Sequence, residues 1–369
     1  MREFNFNEDC PVFDGLFDFA RLYSGASIQA AQRLAQGASD VAINWSGGLH
    51  HAKKAEASGF CYANDLVLSI LELLKAHARV LYVDIDVHHG DGVEEAFYLT
   101  DRVMTVSFHK YGDYFFPGTG ALTDIGEHRG RYYSLNVPLR DGASDATFHA
   151  LFKPILARCV ESFRPGAIVV QCGADSLAHD RLGCLNLSLQ GHGEAVAYLQ
   201  RFGLPLLVTG GGGYTKHNVA RCWAYETGLL LGERLPDALP LTDYHEYFAS
   251  NGYRLDASAH RAGCEDANSR QAVDRIKAEV LENLRALAHA PGVQFHELPP
   301  EARLPTYEPD DGPGAEGGGV LERVGRYARE HLVIKEVDPA AGVGGMMTAA
   351  SGGLDGGLEG GGRRSIRNR

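Results

Sequence analysis

The sequence predicts an α/β protein with a single parallel β-sheet that is covered by helices on both faces. Two observations support this prediction. Short runs rich in Val, Ile and Leu alternate with longer segments whose apolar residues recur at helical spacing, as strands joined by helical crossovers do. Several of these runs end in clusters of Asp, His or Gly, and ligands of parallel sheets bind outside the carboxyl ends of the strands.

The elements in the first half of the chain follow from apolar periodicity and β-branched content. The run at 80–86 is apolar without alternation in its first half, which is typical of a strand buried on both faces. A loop is predicted at Phe115–Gly120 from its Pro and Gly residues. The other elements are a helix over 15–36, a strand at Val41–Asn44, a helix over 61–77, the strand at 80–86, a short helix at Gly92–Thr100 and a strand at Val103–Phe108.

The second half repeats the alternation, and two of its strands run into glycine-containing segments. One strand is followed by Gly173 and Asp175, and another by four glycines and Tyr214. The predicted elements are a strand at Tyr132–Val137, a helix over 145–163, a strand at Ala167–Cys172, a helix at Gln190–Arg201, a strand at Pro205–Thr209, a helix at Lys216–Leu231 and a last helix over 265–288.

Composition narrows the functional classes. The 369-residue chain has a net charge of −12, which argues against direct nucleic-acid binding through phosphates and suits a cationic partner. Seven cysteines at irregular spacing predict free thiols in a reducing compartment. Neither a membrane-length apolar run nor an apolar signal core is found, so a soluble intracellular protein without membrane partners is expected.

A composition change near residue 306 predicts a folded domain at 1–305 and a Gly-rich tail at 306–369. The composition of this tail is typical of disorder, apart from a helix predicted over 320–334. The tail ends in a basic run, Arg363–Arg369, which is interpreted either as a solvated end or as a nuclear import signal.

Metal-ligand types cluster after the strand at 80–86. Asp86 and His88 are predicted to lie on one side of an extended segment, because side chains alternate along it. Asp175 follows a second strand at the same predicted sheet edge. One imidazole and two carboxylates leave a position open on a divalent metal, as catalytic zinc sites require. The alternative for Asp175 is a helix N-cap.

Two His–Asp pairs can be assembled beside this metal. His50 and His51 follow the strand at Val41–Asn44, and Asp84 and Asp91 remain after the ligands are assigned. A carboxylate bonded to one imidazole nitrogen fixes the tautomer and makes the other nitrogen more basic. Such pairs suit amide hydrolysis, in which the metal polarises the carbonyl and acidifies water while histidine transfers the proton. The alternative is a surface loop whose adjacent histidines have no function.

The glycines before Tyr214 permit a sharp bend that would bring its phenol over the site, where it can donate to a developing oxyanion. A phosphate-binding glycine loop is the alternative, but its Lys-Ser/Thr and glycine spacing are absent. Phe60 and Phe116 lie in glycine-flanked loops and are either core residues or apolar walls for a long alkyl chain.

Six segments resemble the class I histone deacetylases, and the resemblance extends from about Phe4 to Ala302. They are Gly47–Lys54, Glu56–Tyr62, Asp84–Gly92, Tyr114–Gly120, Gln171–Ser176 and Gly210–Tyr214. The resemblance implies a single domain of the arginase/deacetylase type with an eight-stranded parallel sheet.

The resemblance also implies a role for each matching position. Zn²⁺ would be bound by Asp86, His88 and Asp175. The catalytic pair would be His50 and His51, held by Asp84 and Asp91 respectively, with His51 as the main acid and base, and Tyr214 would polarise the acetyl carbonyl. The acetyl-lysine channel would be lined by Gly59, Phe60, Phe116 and Leu182, and Asp9 would bind the substrate backbone. One site for a monovalent cation, with K⁺ as the candidate ion, would comprise Asp84, Asp86, His88, Ser107 and Phe108, and a second would comprise Phe97, Thr100, Val103 and Tyr133.

Two departures from the family pattern are evident. Family members have a segment before the position of Phe4 that includes the first strand, so the sequence is interpreted as N-terminally truncated or as an incomplete gene model. Members that respond to inositol phosphates use basic residues of that segment and two arginines. Arg181 matches one arginine and His217 stands at the other position, which weighs against regulation by inositol phosphates.

The predicted function is zinc-dependent hydrolysis of N6-acetyl-lysine in histone tails, with corepressor subunits as partners. Transcriptional repression and chromatin regulation would follow, in the nucleus or also in the cytoplasm. One alternative is a catalytically impaired corepressor scaffold. Another is a deacetylase of small acetylated amines such as polyamines. A manganese arginase is disfavoured, because the additional metal-bridging acids do not occur at the expected spacing.

Overall fold

The computed structural model describes residues 2–256 and 263–287, in which six β-strands and seven α-helices alternate through most of the sequence. The strands are β1 (Val41–Asn44), β2 (Val80–Asp84), β3 (Val103–Lys110), β4 (Ser134–Leu139), β5 (Ala167–Gln171) and β6 (Leu206–Thr209). The helices are α1 (Leu16–Ala35), α2 (Asp65–Leu73), α3 (Asp91–Phe97), α4 (Asp145–Phe163), α5 (Leu189–Gln200), α6 (Lys216–Leu231) and α7 (Arg270–Arg285).

The six strands form one sheet in the order β1-β6-β5-β2-β3-β4, and every neighbouring pair is parallel. Side chains of β2 alternate between two hydrophobic clusters. Leu81 and Val83 pack with α4, α5 and α7, whereas Val80 and Tyr82 pack with α1, α2 and α3. Helices therefore cover both faces, and the predicted fold class is confirmed. The described residues contain six strands, fewer than the eight that the resemblance implies.

The predicted elements differ from the observed ones mainly at their ends. The helix predicted over 61–77 is observed only at Asp65–Leu73, because Asn64 caps it by accepting a hydrogen bond from Val67 N (3.0 Å) and Cys61 is paired in a β-bridge. The last helix, predicted to start at 265, begins after Ser269, whose hydroxyl accepts from Ala272 N at 3.2 Å. Polar N-caps thus determine where these helices begin, whereas apolar periodicity alone would extend them toward the N-terminus.

One carboxylate joins the segment before α7 to the start of α4. Asp266 Oδ2 accepts from the backbone N and the hydroxyl of Ser144 (3.1 and 3.0 Å) and from the hydroxyl of Thr147 (2.6 Å). Its Oδ1 accepts from Asn268 N at 2.9 Å. Because Ser144 is the N-cap of α4, this carboxylate fixes α7 and α4 at their N-terminal ends.

We expect Asp266→Asn to lower the free energy of unfolding by about 1 kcal/mol, because an amide NH₂ replaces one acceptor oxygen. Burial opposes ionisation of Asp266, but its hydrogen bonds outweigh this and lower its pKa. A carboxylate whose pKa is lowered in the folded protein stabilises the fold fully at pH values above its pKa in the unfolded chain, which is about 4. This stabilisation is lost as the pH falls through the folded-state pKa. Urea unfolding should therefore separate the two proteins at neutral pH, and the two curves should converge at low pH, once the pH has fallen below the folded-state pKa of Asp266.

The exposed Asp243→Asn exchange is the matched control and should leave unfolding unchanged at both pH values. A stability difference for Asp266→Asn that persists undiminished at low pH would contradict the role of the carboxylate.

Within the described residues, none of the helices is both long enough and apolar enough to span a membrane. The boundary predicted near 305, the tail at 306–369 with its helix over 320–334, and the basic run Arg363–Arg369 lie outside the described residues.

Candidate active site

The candidate site lies at the carboxyl edge of the sheet, where the segments that follow four strands meet. His50 and His51 follow β1, the segment from Asp84 to Asp91 follows β2, Asp175 follows β5, and Tyr214 follows β6. The convergence expected from the sequence is therefore observed, and it results from parallel strands that all end at this edge.

One imidazole and two carboxylates meet at the buried centre of the site. His88 Nδ1 lies 3.0 Å from Asp86 Oδ1 and 3.1 Å from Asp175 Oδ2. One ligand atom from each residue lies within 4.8 Å of those of the other two. Asp86 and Asp175 are fully buried, and His88 is nearly so.

The local backbone differs from the prediction although the three side chains converge. Strand β2 ends at Asp84, so Asp86 and His88 do not share an extended segment; they lie in a bend in which His88 N donates to Asp86 Oδ1 at 2.9 Å. Asp175 lies inside a 3₁₀ turn, Ala174–Ser176, and does not cap a helix. The bend brings the carboxylate and the imidazole together more closely than alternation along a strand would.

Backbone and amide donors hold the carboxylates in place. Asp86 Oδ2 accepts from Gln171 Nε2 (2.8 Å) and Gly212 N (2.9 Å), and Asp175 Oδ1 accepts from Val87 N (3.0 Å). A side chain at position 212 would collide with the Asp175 carboxylate. The glycine is therefore required for the close approach of the chain rather than for flexibility alone.

The donor set fits a divalent metal. Burial and the adjacent Asp86 carboxylate raise the pKa of Asp175 to about 7, because two negative groups this close repel each other in a buried site. A dication would compensate this charge. One imidazole nitrogen and two carboxylate oxygens, with room for a further ligand, are the donors found in catalytic metal sites.

Both predicted His–Asp pairs are formed. His50 Nδ1 lies 2.8 Å from Asp84 Oδ2, and His51 Nδ1 lies 2.8 Å from Asp91 Oδ1. Each carboxylate has a second donor that the sequence analysis did not identify, Tyr82 Oη for Asp84 and Lys53 Nζ for Asp91, both at 2.5 Å. These donors fix the carboxylates in their orientation toward the imidazoles.

The two imidazoles differ in their affinity for a proton. Burial disfavours the cation at His50, but the carboxylates of Asp84 and Asp86 outweigh it and raise its pKa to about 9. Burial and the neighbouring charge of His50 lower the pKa of His51 to about 3. His51 is therefore neutral near pH 7, and when Nδ1 donates to Asp91 its Nε2 carries a lone pair that can accept a proton.

Tyr214 borders a cavity of about 170 Å³ that also contacts His50, His51 and Asp86. The centroid of its ring lies 6.0 Å from that of Phe60 and 6.5 Å from that of His88. Burial and the carboxylates of Asp175 and Asp86 raise the pKa of Tyr214. The phenol therefore keeps its proton and can act as a hydrogen-bond donor.

Asp180 is a site residue that the sequence analysis missed. Its Oδ2 accepts from the backbone N of Tyr214 at 2.7 Å, and its Oδ1 accepts from that of Leu182 at 2.9 Å. One carboxylate thus connects the segment bearing the phenol to the segment bearing a predicted channel residue. Gln171, which holds Asp86, was likewise not singled out. Its position at the end of β5 was the available signal.

The predicted channel side chains are exposed at the mouth of the site and do not belong to the core. Phe60, Phe116 and Leu182 are 48%, 44% and 49% exposed. Phe116 packs edge-on against His51, with ring centroids 4.9 Å apart. A Cβ atom at Gly59 would lie 2.9 Å from the Phe116 ring. Asp9 is also exposed.

The residues of the two predicted K⁺ sites lie at opposite edges of the sheet. Ser107 is paired with Asp84 across β2 and β3, near Phe108 and the metal-ligand candidates. Val103 begins β3 and Tyr133 precedes β4, while Thr100 N donates to Phe97 O at 3.2 Å. Arg181 is exposed and His217 is half-buried near the start of α6. The cation and inositol phosphate assignments stay predictions.

Comparison with known proteins gives consistent matches. The model of the histone deacetylase domain matches residues 1–230. Histone deacetylase 9 of Arabidopsis thaliana is 59% identical over 311 residues, which cover 84% of this chain and 72% of that protein. Histone deacetylase 1 of Oryza sativa subsp. japonica is 61% identical over 310 residues, which cover 84% of this chain and 59% of that protein.

Proposed function

The chain belongs to the histone deacetylase family, and from this premise we propose that it hydrolyses the acetyl amide of N6-acetyl-lysine in histone tails with a zinc ion. The observation that carries the proposal is the buried cluster of His88, Asp86 and Asp175 beside two His–Asp pairs. The chain spans 72% of the Arabidopsis relative and 59% of the rice relative, and its activity, substrate and partners are therefore proposals.

Zinc held by Asp86, His88 and Asp175 would polarise the acetyl carbonyl and lower the pKa of a water molecule. His51 accepts the proton of that water on Nε2 while Nδ1 donates to Asp91, and the same imidazole returns the proton to the leaving lysine amine. His50, held by Asp84, stays protonated beside the ligand Asp86 and stabilises negative charge.

Tyr214 and the exposed aromatic residues complete the site. The protonated phenol donates a hydrogen bond to the oxygen on which negative charge develops. Phe60 and Phe116 provide apolar walls that the methylene groups of lysine can contact. The net charge of −12 suits a basic histone tail. We further propose a nuclear location, transcriptional repression and corepressor subunits as partners.

The proposal is tested with recombinant protein that has been depleted of metal and reconstituted with Zn²⁺. We expect zinc to restore hydrolysis of an acetyl-lysine histone peptide, measured as released acetate, and a peptide rate well above that of an acetylated polyamine. Zinc binding without turnover would instead support the scaffold alternative. A faster rate with the polyamine would support the small-amine alternative.

Tyr214→Phe should lower kcat by about a hundredfold, because the exchange removes one oxyanion donor. KM should change little, since the aromatic ring and its packing against Phe60 are retained. Steady-state kinetics on the same peptide measures both parameters. Tyr244→Phe, at a tyrosine that is 62% exposed, is the matched control. An unchanged kcat in Tyr214→Phe would remove the phenol from the mechanism.

A further inference from the structure

We propose that His89 and His109 form a latch that fixes residues 111–120, here called the aromatic loop, against the segment that bears His88. Through this loop, the two histidines would set the fit of the acyl-lysine side chain. They are positioning residues, because the loop and not the imidazoles would contact the substrate. The inference rests on the proposed function and extends it to two residues that the mechanism does not use.

The latch consists of two hydrogen bonds at the end of the aromatic loop. His89 Nδ1 lies 2.8 Å from the hydroxyl of Thr119, and His109 Nε2 lies 2.9 Å from the carbonyl oxygen of Gly120. The centroids of the two imidazoles are 4.6 Å apart. His89 and His109 are 1% and 0% exposed, although half of the residues of the loop are exposed.

The direction of the hydrogen bond between His109 and Gly120 follows from the chemistry of the two groups. The Gly120 carbonyl can only accept, so His109 carries its proton on Nε2 and its Nδ1 accepts from the Ser107 hydroxyl at 2.9 Å. Burial and the neighbouring His89 lower the pKa of His109 well below its ordinary value, which favours this neutral form. His89 Nε2 lies 3.3 Å from Glu94 Oε2 without hydrogen-bond alignment.

The backbone at Gly120 is packed tightly against the imidazoles of His89 and His109. Gly120 has a φ of +86°, which favours glycine. A Cβ atom there would lie 2.7 Å from Cγ of His89 and would also collide with the ring of His109. The backbone therefore rests directly on both imidazoles, so their positions determine where the loop ends.

Two aromatic side chains of the aromatic loop pack against the metal-ligand and acid–base residues. Phe115 stacks on His88 with ring centroids 5.1 Å apart and an interplanar angle of 12°, and Phe116 packs on His51. At the start of the loop, Asp113 accepts from Lys110 Nζ at 2.7 Å. The loop is thus held at both ends, and Phe116 lies only three residues before the latch residue Thr119.

Thr119→Val removes the His89 hydrogen bond while keeping the shape of the side chain. We expect KM for the acetyl-lysine peptide to rise about threefold to tenfold, the cost of one neutral hydrogen bond. We expect kcat to stay within about twofold, because the reacting groups are untouched, and the preference for acetyl over butyryl peptide to decrease. The control is Thr123→Val, an exposed threonine just beyond the loop, which should change neither parameter.

A double-mutant cycle with Phe116→Ala distinguishes a latch from a general structural effect. If the latch acts through Phe116, then Thr119→Val will have no further effect on KM once Phe116 is alanine. Additive effects of the two exchanges would overturn the proposal. So would an unchanged KM in Thr119→Val alone.

Hydrogen exchange tests the latch independently of turnover. Amides of residues 112–120 should exchange at least about threefold faster in Thr119→Val than in Thr123→Val, because a bond that limits loop opening is lost. Equal exchange in the two variants would overturn the latch even in an active enzyme. Wild-type protein without turnover would overturn the proposed function, and the exchange comparison would still decide the latch.

Discussion

Asp175→Asn will lower kcat of the zinc-reconstituted protein by about a thousandfold or more, equivalent to at least about 4 kcal/mol of transition-state stabilisation. Asp175 Oδ1 accepts from Val87 N at 3.0 Å, and Oδ2 faces His88 Nδ1 at 3.1 Å. In asparagine the amide oxygen must take the position beside Val87 N, because NH₂ cannot accept a hydrogen bond there. The NH₂ group then faces the ligand cluster, where it cannot bind a cation.

Metal content and turnover should therefore decrease together in Asp175→Asn, as measured by elemental analysis of dialysed protein and by acetate release. The exposed Asp243→Asn exchange should retain both. Circular dichroism should show a folded chain, since the Val87 hydrogen bond and the side-chain volume are kept. Full zinc content with normal turnover would exclude Asp175 as a ligand.

Much of the fold could be predicted from the sequence, because strong patterns coincide with the elements. β2 and β5 are continuous apolar runs up to their last residue, and each is buried along its whole length in the sheet. The ends were less predictable. Asn64 and Ser269 begin helices through side-chain hydrogen bonds that depend on local geometry, and apolar periodicity carries no information about such bonds.

For the candidate site, the grouping of the residues was predicted, but parts of the local backbone were not. Asp86, His88 and Asp175 could be grouped because parallel strands deliver their ends to one edge, yet the bend after Asp84 was not foreseen. An Asx-type hydrogen bond from His88 N to Asp86 Oδ1 forms this bend, and an Asp-x-His spacing is compatible with both an extended and a bent backbone. Phe60 and Phe116 were candidates for apolar walls because they lie in glycine-flanked loops, whereas the other channel residues and the K⁺ residues came only from the family resemblance.

The residues that position other site residues through hydrogen bonds were the most difficult to predict from the sequence. Asp180 and Gln171 act through backbone and carboxylate contacts formed between segments distant in sequence, such as Asp180 with Tyr214 N and Gln171 with Asp86. Neither side chain belongs to a local motif that indicates such a contact. A single sequence shows which residue types are present, but it does not show which of them lie close enough to hydrogen-bond to a site residue.

His51→Ala will lower kcat by about a thousandfold, within the range of loss of a general acid–base group. The reason is that Asp91 fixes the proton of His51 on Nδ1, at 2.8 Å, and leaves Nε2 to accept the proton of water. Zinc content should stay near that of the wild type, because the imidazole of His51 is not a ligand and its centroid lies 5.7 Å from that of His88. Added imidazole should restore part of the rate.

His50→Ala provides the decisive comparison, since its Nε2 lies 3.8 Å from Asp86 Oδ2. That exchange removes a protonated neighbour from the ligand cluster and should change zinc affinity as well as kcat, whereas His51→Ala should change kcat alone. The exposed His128→Ala exchange serves as the control. If His50→Ala loses activity that imidazole rescues while His51→Ala keeps most of its turnover, the proton acceptor is His50. The opposite pKa shifts of the two imidazoles would then require a different explanation.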